Sequence, residues 1–280
     1  MRHRRGFTMV ELLVSMVIFA VIGAAFTKLL STQGRFFDHQ GTANAARNVS
    51  RGSLNRVVSD FRMIEATGGV IAADDKKMEI RVPFAIGIVC TTGAGATTVS
   101  LLPVDSVMYA QPGFYGYAWR AVTTGAYSYV ENPAGQSGGD TALCTGAGIT
   151  TLTGGKIVAL TPALPVAATL GTPVLLFRRV KYEFKNSQTV AGKKGLFRTV
   201  VFQDGSEASE ELVAPFANSA KFKFFSLNSA GAQTNPPGNL SDLRGIELHL
   251  DGLSEVTPRG QTGPQKAPFI TAVYFKNRII

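Results

Sequence analysis

The chain has 280 residues, with 28 Lys and Arg against 19 Asp and Glu, a formal net charge of +9, 45% hydrophobic residues, two cysteines and three histidines. With a mean hydropathy of +0.13, these values exclude intrinsic disorder, a disulfide-dense scaffold and an all-cysteine zinc site. A polytopic membrane protein is excluded too, because one stretch near the start carries most of the apolar excess. His3, His39 and His249 leave little material for a histidine-based centre, so function has to be read mainly from the N-terminus.

That N-terminus begins Met1-Arg2-His3-Arg4-Arg5-Gly6 and continues Phe7-Thr8-Met9-Val10-Glu11-Leu12 into a long apolar run. The 21 residues from Phe7 to Thr27 contain one charge, Glu11. As a helix they cover about 30 Å, the thickness of a bilayer hydrocarbon core. Three arginines precede the run, while Lys28 and Arg35 follow it. The denser cluster is expected to stay cytoplasmic, with the bulk of the chain on the other side of the membrane. Glu11 stands out, since an ionisable group within a span costs a few kcal/mol and marks a functional site by default.

The basic leader ending in Gly6, followed by Phe7, Thr8 and Glu11 in register, resembles the class III signal of type IV prepilins and pseudopilins. The resemblance implies that a prepilin peptidase cuts between Gly6 and Phe7 and methylates the new amine of Phe7. It also makes Glu11 the fifth-position glutamate that aids assembly. Physical chemistry is compatible with that role. A freed Phe7 amine lies about 6 Å along the helix from Glu11, and a carboxylate in hydrocarbon seeks a cation that a neighbouring subunit can offer. Two other readings stand beside this one. Leu12 to Ile22 followed by Gly23-Ala24-Ala25 also sketches an ordinary secretory signal that releases a soluble domain starting at Phe26. An uncut anchor is the third.

Beyond the apolar run, Ala43, Ala46, Ser50, Ser53, Leu54, Val57, Val58, Phe61 and Ile64 recur at three-four spacing, which predicts one buried helix face. Arg47, Arg51, Asn55, Arg56 and Arg62 fill the other side. A near-continuous helix from Thr8 to Thr67, about 90 Å long, is expected to stop at Gly68-Gly69. Gly23, Gly34, Gly41 and Gly52 lie inside it, and a break into two helices near Gly34 is the alternative.

After Gly69 the period changes to two. Strands are predicted at Met78–Val82, Leu175–Phe184, Leu196–Phe202, Lys221–Phe225, Gly245–Leu250 and Phe269–Phe275. Val180, Tyr182 and Phe184 face one way, with Lys181, Glu183 and Lys185 opposite, and Asn186 to Gly195 reads as a hairpin loop. The expected fold is α+β, a long N-terminal helix packed on a mostly antiparallel sheet. The division is a leader at 1–6, a membrane and filament-core helix at 7–30, a periplasmic helix half at 31–68 and a β-rich domain at 69–280. Within the last, residues 87–155 hold 13 glycines, both cysteines and Trp119, and read as a loop-rich insertion whose aromatics are strand and core residues.

Toward the C-terminus, Glu211-Leu212-Val213-Ala214-Pro215-Phe216, Phe222-Lys223-Phe224-Phe225, Leu243-Arg244-Gly245-Ile246-Glu247-Leu248 and the final Val273 to Arg278 resemble the ending of PilW-type minor pilins and J-type minor pseudopilins of type II secretion. So does Leu54 to Arg62 on the helix. The implied partners are the prepilin peptidase, other minor and major pilins or pseudopilins, and the inner membrane.

Cys90 and Cys144 would close a long loop if oxidised, worth roughly 4 kcal/mol by chain entropy; two separate buried thiols are the other reading. Gly135-Gln136-Ser137-Gly138-Gly139 matches the G-x-S-x-G pattern, but Asn132-Pro133 before it and glycines after it argue for a loop. Asp74-Asp75 reads as a solvated turn. No phosphate-cradling, redox or zinc-protease motif occurs, and neither an enzyme nor a cofactor is expected. Removing Arg2, Arg4 and Arg5 leaves a side-chain charge of +6. The basic pairs Arg178-Arg179 and Lys193-Lys194 leave a DNA-binding tip as a further alternative, with solvated strand ends explaining them equally well.

Overall fold

A computed structural model describes residues 8–52, 54–65, 67–92, 95–121, 125–137, 141–165, 168–227 and 229–275. The predicted helix forms as α1 (Met9–Gly52) and α2 (Leu54–Arg62). It runs without a break through Gly23, Gly34 and Gly41, where an added Cβ would meet nothing within 4 Å. Its end comes earlier than Gly68-Gly69 suggests. The last turn tightens at Met63 and Ile64, whose N–H groups donate to the carbonyls of Asp60 and Phe61. That switch from i−4 to i−3 partners closes the helix and swings the buried Ile64 under the sheet. Gly69 follows so closely on this turn that a Cβ there would lie 2.2 Å from the Glu65 carbonyl.

Among the described residues thirteen strands follow, all their pairings antiparallel. Two of them are long, β2 (Lys77–Thr92) and β8 (Pro173–Asn186), and pair with each other from Lys77↔Glu183 to Ile88↔Pro173. A bulge between Pro83 and Ala85 accommodates the proline, which has no N–H to give the ladder. This two-strand spine serves two halves of the sheet. On one half lie β1 (Val70–Ala73), β9 (Lys194–Val201), β10 (Glu207–Phe216), β11 (Lys221–Ser226), β12 (Leu243–Leu253) and β13 (Lys266–Tyr274). On the other lie β3 (Thr97–Leu101), β4 (Gly116–Arg120), β5 (Tyr127–Glu131), β6 (Ala134–Ser137) and β7 (Ile157–Thr161), with the short helices α3 (Pro103–Ala110) and α4 (Thr141–Gly146). The fold is α+β, with the helix packed on the sheet.

Each half has its own core. Under the helix, Val57, Phe61 and Ile64 pack with Ile80, Val180, Tyr182, Phe222 and Leu248. The other core gathers Val99, Leu101, Tyr117, Trp119, Val158 and Leu176. The glycines between Gly87 and Gly155 therefore serve more than loops. A Cβ on Gly116 would sit 2.3 Å from the Val130 carbonyl, and one on Gly87 would press on Val99 and Leu101. These glycines let strands and aromatic rings approach closely. The strand β10 escapes a period-two reading because Glu207, Ser209 and Glu210 all stand exposed, so only its end at Pro215 and Phe216 carries a burial signal.

The helix is fixed to the sheet in two ways. Where α1 crosses β12, Gly252 has no side chain, and a Cβ there would lie 2.4 Å from the Ala46 carbonyl. Ser50 exploits this contact, accepting from the Gly252 N–H at 3.0 Å and donating to the Ala267 carbonyl at 2.8 Å. Almost three turns further on, Asp60 is buried and takes hydrogen bonds from the Tyr182 hydroxyl at 2.7 Å and Arg198 Nε at 2.9 Å. Burial, reinforced by the Asp60 charge, pushes the Tyr182 phenol well above its ordinary pKa. Burial opposes the Arg198 charge, but Asp60 and Tyr182 outweigh it and hold the guanidinium above its usual value. Removing Asp60 would leave Arg198 charged, buried and unmatched. Asp60→Ala is therefore expected to destabilise the detergent-solubilised full-length protein by about 3 to 5 kcal/mol, measured by chemical denaturation.

Candidate functional site

The projecting part of the helix is the candidate site. Every residue from Thr8 to Phe37 is exposed, and Asp38 is the first that is partly covered. The polar ties to the domain begin there, Asp38 with Arg259 at 3.4 Å and His39 with Gln265 at 3.1 Å. At 1.5 Å per residue, the free segment is about 45 Å long. Its apolar side chains, among them Leu12, Val17, Phe19, Ile22 and Leu30, are each at least half exposed. An 18-residue window reaches a mean hydropathy of 2.4 with none of it buried. Length and composition suit a bilayer crossing, and Phe36 and Phe37 stand at its outer end.

At the other end, Glu11 and Thr8 form a reciprocal cap. The Thr8 N–H donates to Glu11 Oε2 at 2.9 Å, the Thr8 hydroxyl donates to the same oxygen at 3.0 Å, and the Glu11 N–H returns a bond to Thr8 Oγ1 at 3.3 Å. Thr-x-x-Glu at this spacing is a capping box, which satisfies donors that a helix start leaves free. A carboxylate there also meets the positive end of the helix dipole. Glu11 thus has a local partner in Thr8, which it engages through Oε2. Gly6 and Phe7, the expected processing site, lie outside the described residues.

Cys90 of β2 and Cys144 of α4 form a disulfide with a Cα separation of 4.6 Å. Both are fully buried beside Ile157, so the bridge pins α4 to the spine. Other candidate residues are dispersed. Ser137 ends β6 and α4 begins at Thr141, so the strand-then-helix context that Asn132-Pro133 argued against is present. Its sole downstream histidine is elsewhere: His249 is on β12, at the far end of the strand order from β6, and contacts Glu247. The basic pairs also divide. Arg179 is held by Glu79 and by the Tyr115 hydroxyl, Lys194 bonds Asn186, and Arg178 turns the other way to stack on Phe84. Asp74 caps its own turn, accepting from the N–H groups of Lys76 and Lys77 at 2.7 Å each.

Residues 1–27 match the family model described as the prokaryotic N-terminal methylation motif. Together with the long apolar helix, this motif supports a type IV pilin-like protein with prepilin-type processing, N-methylation and a transmembrane helix. Such proteins are structural, and the motif implies association with other pilins and with a prepilin peptidase. Signal and helix fit a membrane-anchored pilin whose C-terminal domain lies outside the cytoplasm. Comparison of the chain with curated proteins and with solved structures gives no match.

Sequence reasoning missed Asp60, Arg198 and Gly252, the groups that fix the helix to the sheet. A signal existed for Asp60, which sits three residues after Val57 on the apolar stripe. Nothing local marks Gly252 or Arg198, whose partners on the helix lie more than a hundred residues away. The disulfide yields its own expectation. Replacing Cys144 by Ser should cost about 4 kcal/mol, the loop-closure value for a bridge of this span. Thermal unfolding with and without reductant checks it, and the variant should show no further loss on reduction.

Proposed function

We propose that the protein is a minor pilin or pseudopilin, PilW-like or J-like, that enters or primes a type IV pilus or type II secretion pseudopilus. The observation that carries the reading is one of register. The basic leader, Gly6, Phe7 and Glu11 fall in register within the residues that match the methylation motif, and Glu11 lies in the first turn of a helix exposed along its whole first half. A helix in that state needs a cover, first lipid and then other apolar helices. The chain works by assembly rather than by chemistry. A peptidase cuts between Gly6 and Phe7 and methylates the new amine, with the N-terminus on the cytoplasmic side of the inner membrane and the β-rich domain in the periplasm.

Glu11 then sets the register. In hydrocarbon its carboxylate favours a cationic partner, and beside the Thr8 cap, which uses Oε2, it can accept from a neighbour's amine. Lateral packing of the apolar helices supplies most of the cohesion, and the domain, carried rigidly on the same helix, meets sister subunits at the tip.

Mass spectrometry of the N-terminus from native cells tests the reading. The expected species begins at Phe7 with one added methyl group, and Glu11→Ala should cut the amount in the sheared filament or pseudopilus fraction by about tenfold or more while leaving processing intact. A chain beginning at Phe26, or one retaining Met1, would contradict the proposal.

A further inference from the structure

A groove of about 350 Å³ runs between α2 and α3, on the face of the sheet that the helix covers. Met63 forms one wall and Met108 of α3 the other, with Phe84, Ile86 and Leu175 between them. Met63, Ile86 and Met108 are 49%, 47% and 36% exposed. The apolar surface continues along α3, because Val104 lies one turn before Met108 and Val107 one turn after Val104, and both are more exposed still. A run of exposed apolar side chains beside a formed groove marks an interaction surface.

Its charge is also incomplete. Arg56, Arg178 and Arg198 line the groove together with Asp60 and Asp105, which leaves one positive charge in excess. Asp60 is taken by Arg198 and Tyr182, and Asp105 accepts the Ile86 N–H at 3.1 Å. Among the described residues, no carboxylate lies within ion-pair distance of Arg178. Its guanidinium stacks 4.4 Å from the Phe84 ring centroid and reaches the Met108 carbonyl only at 3.4 Å, and its Nε is buried without a hydrogen-bond partner. Burial, then the charges of Arg198 and Arg56, disfavour its cation. An added carboxylate would relieve both.

We infer that this groove receives an apolar protein segment bearing one carboxylate, which pairs with Arg178 and comes from a neighbouring subunit of the filament. The identity of the neighbour rests on the assembly reading above. Position argues against lipid: α2 ends 25 residues beyond Phe37, about 37 Å along the helix from the end of the exposed segment. The apolar walls and the single excess charge argue against nucleic acid, which needs a basic track.

Photo-crosslinking in native cells tests the inference, with a photoreactive residue replacing Met108 in the full-length chain and a control at Ile270, exposed on β13. The expected adduct forms at Met108 and joins a protein with its own methylation motif, through an apolar peptide containing Asp or Glu. Arg178→Gln should reduce it about tenfold or more, and Arg178→Lys should retain most of it. Formation of the Cys90–Cys144 bond reports folding of each variant. If Arg178→Gln fails to form it, Arg56→Glu at the exposed rim should weaken the adduct several-fold instead. No adduct at Met108, an adduct indifferent to these charges, or an adduct to lipid, nucleic acid or a protein without the motif would overturn the inference. Methylation of Phe7, read in the same sample, separates the failures. A methylated chain without the adduct sinks the groove alone, whereas an unmethylated chain sinks the assembly reading and the filament neighbour with it.

Discussion

A carboxylate buried beneath a β-sheet needs a fixed partner, and Asp60 finds Arg198 of β9 and Tyr182 of β8 on the sheet, with Arg56 at 3.9 Å on its own helix. The contact with Arg198 is the buried ion pair between the helix and the sheet, so it helps to decide where the helix can lie. The Ala46, Ser50 and Gly252 junction sets the depth of the crossing, since only a glycine lets the helix backbone meet the strand. Beyond Asp38 the helix belongs to the domain, and before it the helix belongs to its surroundings. Both properties suit the subunit role proposed above, in which the helix is covered by lipid or neighbours and the domain moves with it.

The sheet extends that rigidity. The spine of β2 and β8 passes from the core under the helix to the core around Tyr117 and Trp119, with one bulge between Pro83 and Ala85. The second core is further tied by the disulfide from Cys90 to Cys144. The groove between α2 and α3 lies where the two halves meet, which places Arg178 within reach of a partner while α2 holds one wall in place.

Much of this was legible in the sequence. The three-four spacing of Ala46, Ser50, Val57, Phe61 and Ile64 marked the buried helix face, because a helix must present one stripe to a core. The alternation through Val180, Tyr182 and Phe184 marked the sheet for the same reason at period two. Less visible was anything that depends on long-range approach. The glycines at 87 and 116 read as loop residues, although they sit in strands against Val99 and Phe177. Arg178 and Arg179 read as one basic pair, yet adjacent strand residues face opposite sides, so one meets Glu79 and the other Phe84. At the N-terminus the motif was plain, while the capping of Thr8 by Glu11 needed coordinates, because the same two residues are equally consistent with a free carboxylate.

The central claim is that the second half of the helix is part of the domain's core rather than an appended arm. Hydrogen exchange of the detergent-solubilised full-length protein tests it directly. Amides from Ala46 to Phe61 should open with the same free energy as those in the middle of β8 and β12, because the helix can leave only when the sheet unfolds. Exchange of that helix segment orders of magnitude sooner, with β8 and β12 still protected, would mean that the helix undocks on its own, and would contradict the account.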